Sequence, residues 1–226
     1  MAQFCSITGV GLSLYWEAPV ALLRGCIVTV FVSMFIFALI GAISPGPVNI
    51  IATGAGANFG FLRALPHVLG ATIAYTLIVF LVGIGLNEVL AAYPQITTSL
   101  QYLGGAFLLY MSYKIATSKP LIDNTTIKQR PPSLIEGALS QGLNPKAWLV
   151  SMSGVSLFVV ANSPTALYLL AFCLISFVVC FLGVGTWAAI GHVIRKVLTN
   201  ERHQVSFNIA MGLLLSSTVA TIFMNQ

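Results

Sequence analysis

The strongest constraint on this chain is a set of long apolar runs, at residues 31–58, 65–86, 97–117, 134–161, 165–194 and 205–224, in which charges are nearly absent. A run of roughly 18 or more such residues is long enough to cross a bilayer as a helix, and the alternation of barrel strands appears nowhere. With 58% hydrophobic and 7% charged residues, the chain has too little charge to clothe a soluble core. The expected fold is an all-α membrane protein with six transmembrane helices. Residues 1–30 read as an N-terminal extension of undecided structure, lacking the basic start and small-residue cleavage site of a signal peptide.

Two of the runs are interrupted: Ser44-Pro45-Gly46-Pro47 falls inside 31–58, and Asn144-Pro145-Lys146 inside 134–161. Proline cannot donate to the carbonyl four residues back, so Gly41, Ile43 and Gln141 lose helical partners where water cannot replace them. Such breaks are tolerated where the freed backbone is buried in protein or lines a cavity, and they point to a transporter's binding site. Each break lies near the middle of the first run of its half, on either side of the polar segment 118–133. That placement predicts two three-helix repeats with broken first helices, 31–117 and 134–226. Because three is odd, the second copy enters the membrane inverted.

Basic residues fix the expected orientation. Arg63, Lys114, Lys119, Lys128, Arg130, Arg195, Lys196 and Arg202 flank one face, against Arg24 alone on the other. By the positive-inside rule the 118–133 loop is cytoplasmic and both termini are outside. The net charge of +5 is therefore a matter of topology, and no nucleic-acid partner is expected.

The breaks also suggest a chemistry. After the first, the chain restarts as a half-helix whose amides at Gly46 and Val48 attract an anion, with Ser44 positioned to cap. The freed carbonyls suit an ammonium group, so the pair of breaks fits a zwitterion such as a small amino acid. Lys146 is the only formal charge deep in a run, at a cost of about 2.5–3.5 kcal/mol, and is assigned to the substrate carboxylate or a proton-linked step. Asn49, Asn144 and Gln141 stand beside the breaks and offer hydrogen bonds to substrate or freed backbone. The expected substrate-binding set is thus Ser44, Pro45, Gly46, Pro47, Asn49, Gln141, Asn144, Pro145 and Lys146. Two plainer readings stand against it: prolines that merely kink packed helices, and a Lys146 placed in a cytoplasmic re-entrant loop.

Other residues are assigned to packing or to the interface. Trp148 reads as packing, His67 and His192 as interfacial groups near run ends. The steps Ala52/Gly56, Gly70/Ala74 and Ala138/Gly142 read as close helix contacts. Cys5, Cys26, Cys173 and Cys180 show neither metal-ligand spacing nor a CxxC pair, and no cofactor is expected.

With these motifs in place, the chain resembles the LysE/RhtB amino-acid exporters. The likeness rests on Ser44-Pro45-Gly46-Pro47, on Leu103-Gly104-Gly105-Ala106-Phe107-Leu108-Leu109-Tyr110 followed by Lys114, and on Leu143-Asn144-Pro145-Lys146-Ala147, in that order over about residues 31–224. The resemblance implies proton-motive-force-driven efflux of amino acids and close derivatives from the bacterial cytoplasm, hence an inner-membrane protein with substrate, protons and bilayer as partners. A homo-oligomer is compatible with it. Two departures matter. Val48 precedes Asn49 where the family often has Asn directly after the second proline. The second run reads Gly70-Ala71-Thr72-Ile73-Ala74-Tyr75 where many members carry an acid. The absence of an intramembrane carboxylate favours neutral substrates, of the homoserine/threonine or cysteine/O-acetylserine class, over lysine. The rivals are a membrane thiol-disulfide electron carrier, which needs a cysteine pair across the breaks, and a metal-ion transporter, which needs clustered acids or histidines.

Overall fold

The structure is a computed structural model that describes residues 17–85, 92–118, 130–198 and 200–224. Contacts divide the chain into two compact units between Ser33 and Met34, and the site lies in the second. The first helix, α1 (Glu17–Ile43), begins well ahead of residue 31, so part of the stretch left undecided by the sequence is helical. After the break comes α2 (Pro47–Phe59), bent by 60° from Val28–Ile43. Pro47 occupies its first turn, where a missing N–H costs nothing. Its N-cap is Gly46, with no side-chain cap, so Ser44 does not cap the half-helix as expected.

Gly60, at φ +89, makes the one-residue turn into α3 (Phe61–Gly83). α3 starts at Phe61, ahead of the run at 65–86, and Pro66 lies inside it. Then come α4 (Pro94–Ala116), α5 (Leu134–Gly142) and α6 (Pro145–Gly154), the last continued by a π turn at Val155–Val160. The second break bends Leu134–Gly142 from Pro145–Val160 by 65°. The chain ends with α7 (Thr165–Val197) and α8 (Glu201–Met224). Among the described residues there is no strand. Among the described residues, α3 and α7 are each long and apolar enough to cross a membrane, and counting each bent pair as one span raises the number to four.

The core is built around α2, in which every residue from Pro47 to Asn58 is buried. It packs on α7, while α3 packs on α5 and α7, and α4 on α8. Glycine makes the closest of these contacts. A Cβ on Gly56 would strike the Ala188 carbonyl oxygen, one on Gly191 that of Thr53, and one on Gly70 that of Leu134. Gly142, expected to serve likewise, meets nothing within 4 Å. On α3 the buried stripe Ala64, Val68, Ala71, Tyr75, Ile78 and Val82 faces inward, and Leu69, Ile73, Leu77 and Phe80 face out, as a lipid-facing helix requires. A second cluster, with Ile50, Ile51, Leu108, Met111, Ile115, Leu215 and Val219, joins α2 to the α4–α8 pair.

These contacts gather basic residues at one end. Arg195 of α7 lies against Gly60, three residues ahead of Arg63 in the chain. Lys114, near the end of α4, pairs with Glu136 in the first turn of α5 at 2.6 Å. Glu136 is buried there and completes a capping box with Ser133, which corrects the expectation that no carboxylate lies within the runs.

Candidate functional site

Part of the backbone freed at each break is bonded locally. At the first, the Ser44 N–H still donates to the Ile40 carbonyl at 3.1 Å, and α1 stops. Asn49, in the first turn of α2, folds back so that Nδ2 donates to the carbonyls of Ala42 at 2.9 Å and Ser44 at 3.0 Å. A bare buried carbonyl costs about 1–3 kcal/mol, so this amide is what makes the break tolerable.

At the second break the last turn of α5 tightens, and the Asn144 N–H donates to the Gln141 carbonyl at 3.1 Å. The main-chain carbonyl of Gln141 is therefore not free, contrary to expectation. Asn144 is the N-cap of α6: its Oδ1 accepts from the Lys146 N–H at 3.1 Å, and its Nδ2 donates to Gln141 Oε1 at 3.3 Å. Trp148, expected to pack, also donates from Nε1 to the Gly142 carbonyl at 2.8 Å, satisfying an orphan group at the end of α5.

The two breaks meet through one bond. Lys146 Nζ donates to the Ser44 carbonyl at 2.8 Å, across 102 residues of sequence. Its stem runs past Gly46, where an added Cβ would lie 3.4 Å from Cδ. Around this bond is a cavity whose polar wall holds Asn49, Gln141, Asn144 and Lys146, with Tyr75 of α3 and Ser176 of α7. Ala38, Val48, Ala147, Val150 and Val184 supply the apolar wall, and no carboxylate among the described residues lines it. The space open to the centre of a water molecule is about 40 Å³, room for a few waters and less than an amino acid needs.

Of the sequence-predicted residues, Gly46, Asn49, Gln141, Asn144 and Lys146 come together on this wall, and Ser44 contributes its carbonyl. Pro45, Pro47 and Pro145 are absent from the wall and shape the turns behind it. Sequence reasoning missed Tyr75, Ser176 and Cys180, which also face the cavity. Tyr75 was within reach, because it continues the alternating four- and three-residue spacing of Ala64, Val68 and Ala71. Ser176 and Cys180 are four apart on α7, and both are buried.

Two broken helices that close a small polar cavity with one lysine, in a multi-pass membrane protein, are the features of a membrane transporter's binding site. The chain is a member of the LysE type translocator family, whose model matches residues 39–225. It is similar to the cysteine/O-acetylserine efflux protein of Salmonella typhimurium, 28% identical over 188 residues, which are 83% of this chain and 94% of that one. The protein of the same name from Escherichia coli K12 is 26% identical over 196 residues, 86% of this chain and 98% of that one. No solved structure matches the chain.

Proposed function

We propose that this protein exports a small neutral amino acid or derivative, of the cysteine/O-acetylserine class, from the bacterial cytoplasm across the inner membrane, as a proton antiporter. The observation that carries the site is the Lys146–Ser44 bond of 2.8 Å between the breaks. A zwitterion inserted into it would give its carboxylate to Nζ, aided by the uncapped first amides of α2, and its ammonium to the released Ser44 carbonyl and Gln141 Oε1. Asn49 and Asn144 hold the two turns in place while the bond opens. An apolar wall of alanines and valines suits a short side chain, and the lack of an acid there disfavours a second cation.

The 40 Å³ of free space makes this a contracted state, which must widen to take substrate. The two bent helices are then the first spans of two inverted three-helix repeats, with α3, α4 and α7, α8 completing six spans. The gathering of Arg63, Lys114, Arg130 and Arg195 at one end supports a cytoplasmic position for that end and periplasmic termini. A bacterium overproducing the protein is expected to lose cysteine or O-acetylserine to the medium faster than a vector control. Uncouplers are expected to slow that loss. Equal excretion of every compound in a panel of neutral amino acids would overturn the reading.

A further inference from the structure

Two polar residues on the wall of the central cavity, Tyr75 and Ser176, belong to neither break. Ser176 lines the cavity from α7 together with Cys180 and Val184, and the four-residue spacing puts all three on one stripe of that helix. Phe172, one turn ahead of Ser176, closes the stripe. It is fully buried, and its ring centroid lies 6.5 Å from that of Phe37 and 6.0 Å from that of Phe158. At the other end Gly183 marks the level of the first break, since a Cβ there would lie 2.7 Å from Cβ of Ala42. Ser176 precedes Gly183 by seven residues, about 10 Å along the helix at a rise of about 1.5 Å per residue.

The hydroxyl of Ser176 is unpartnered. The residue is 0% exposed, and its Oγ has no hydrogen-bond partner. A serine or threonine within a helix commonly donates to a carbonyl three or four residues back. Thr53 does so to Asn49, Thr72 to Val68 and Ser140 to Gly137, each at 2.8 Å, and Thr186 of α7 to Leu182 at 2.7 Å. Ser176 makes no such bond to its own helix. The amides and the ammonium on the wall are already engaged, Asn49 with the carbonyls of Ala42 and Ser44, Asn144 with Gln141 Oε1 and the Lys146 N–H, and Lys146 with the Ser44 carbonyl. Among the described residues, Ser176 is the one lining residue with a buried side-chain oxygen or nitrogen left without a partner; Ser151, the other orphaned serine, is not on the wall. Buried polar atoms are almost always satisfied, so a bare hydroxyl at a cavity calls for a partner that comes and goes.

We propose that Ser176 determines the specificity of export: its hydroxyl donates to an oxygen on the substrate's side chain, and so selects an amino acid bearing an ester over one that ends in a thiol or a hydrocarbon. The proposal rests on the exporter reading above and names the side-chain subsite of that same cavity. With the zwitterion held at the breaks, a side chain running along α7 reaches the level of Ser176 only if it is several atoms long. The acetyl ester of O-acetylserine is long enough, and the one-carbon thiol arm of cysteine is not. An ester carbonyl has lone pairs and no proton to give, which complements a hydroxyl whose own proton is uncommitted, whereas a thiol sulfur accepts only weakly. The rings of Phe37, Phe158 and Phe172, one turn further along α7, set a limit on the length of the side chain. Before substrate arrives the cavity has room for a few waters, and the ester oxygen takes the place of the one at Ser176.

The test reads discrimination between ligands, which a merely structural role would not move. Inverted membrane vesicles carrying the native protein, Ser176→Ala or Ser176→Thr are assayed for energised uptake of labelled O-acetylserine and labelled cysteine. Homoleucine, which replaces the acetyl ester by a hydrocarbon of similar shape, is added as a competitor. The native protein is expected to prefer O-acetylserine to both. In Ser176→Ala the half-saturating concentration of O-acetylserine is expected to rise about three- to tenfold, the contribution of one neutral hydrogen bond, while the values for cysteine and homoleucine stay as they were. Ser176→Thr keeps the hydroxyl and is expected to keep the native preference. An unchanged O-acetylserine value in Ser176→Ala, or a threonine variant that loses the preference as the alanine variant does, would overturn the proposal. So would an equal loss for all three ligands, which would make Ser176 structural. Native uptake of cysteine but not of O-acetylserine, or homoleucine competing as well as O-acetylserine on the native protein, would overturn it and leave the exporter reading standing. No energised uptake of either labelled compound by the native protein would refute the exporter reading itself.

Discussion

Replacing Lys146 by methionine separates recognition from folding, because the ammonium is both the charge offered to substrate and the donor to the Ser44 carbonyl at 2.8 Å. Methionine keeps most of the side chain's length and removes the charge. Hydrogen bonds to charged groups contribute about 1.5–3 kcal/mol, so losing the one to the substrate carboxylate costs that much binding. At about 1.4 kcal/mol per decade, the apparent affinity for the zwitterion falls roughly 10- to 100-fold. The fold should be nearly indifferent. The Ser44 carbonyl keeps the Asn49 Nδ2 donor at 3.0 Å, and an uncharged side chain is easier to insert than a lysine. The assay is the concentration dependence of labelled O-acetylserine uptake into inverted vesicles, with the melting of the purified variant in detergent as control. Lys146→Arg keeps the charge but replaces a point donor by a planar fork, and is expected to transport partially. Native apparent affinity in the methionine variant would refute the reasoning. So would a loss of several degrees in melting temperature, which would make Lys146 a strut and not a recognition group.

The other predictions concern the frame of the site. Asn49→Ala strips the Ala42 carbonyl of its donor and is expected to destabilise the protein by about 1–3 kcal/mol in detergent melting; Asn49→Asp, which has no N–H to offer, should not rescue it. Gly56→Ala drives a Cβ into the Ala188 carbonyl oxygen and should cost about 1–3 kcal/mol by overpacking, whereas Gly142→Ala, with nothing within 4 Å, should melt as the native protein does. Equal melting of the two glycine variants would show that the α2–α7 contact is looser than the structure has it. A reporter fused to the C-terminus is expected to be active only outside the cytoplasm, and cytoplasmic activity would reverse the proposed orientation.

The two breaks were legible because proline acts locally: whatever the rest of the chain does, Pro45, Pro47 and Pro145 cannot complete a helical ladder. The same holds for Lys146, whose charge in an apolar run demanded a partner. What could not be read was where each freed group finds that partner. Lys146 bonds a carbonyl 102 residues away, and Asn49 proved to serve the backbone of its own break. Helix starts were the other weak point. With α3 starting at Phe61 and not at 65, Pro66 lies in the helix interior and His67 on the buried face. Glu136 likewise looked like the edge of a run and is instead buried in a capping box and an ion pair with Lys114. The topology of 118–133 rests on loop charge, and most of that loop lies outside the described residues.

The central claim is that the cavity between the breaks carries a small neutral amino acid outward at the expense of a proton gradient. It is tested most directly by energised uptake into inverted membrane vesicles, where export appears as accumulation, against a panel holding cysteine, O-acetylserine, homoserine, threonine, lysine, a divalent metal ion and a dithiol reductant. Accumulation of cysteine or O-acetylserine above vector vesicles, abolished by an uncoupler and absent for lysine, is the predicted result. Movement of the metal ion or of reducing equivalents alone, or no energised uptake of any amino acid by a correctly inserted protein, would contradict it.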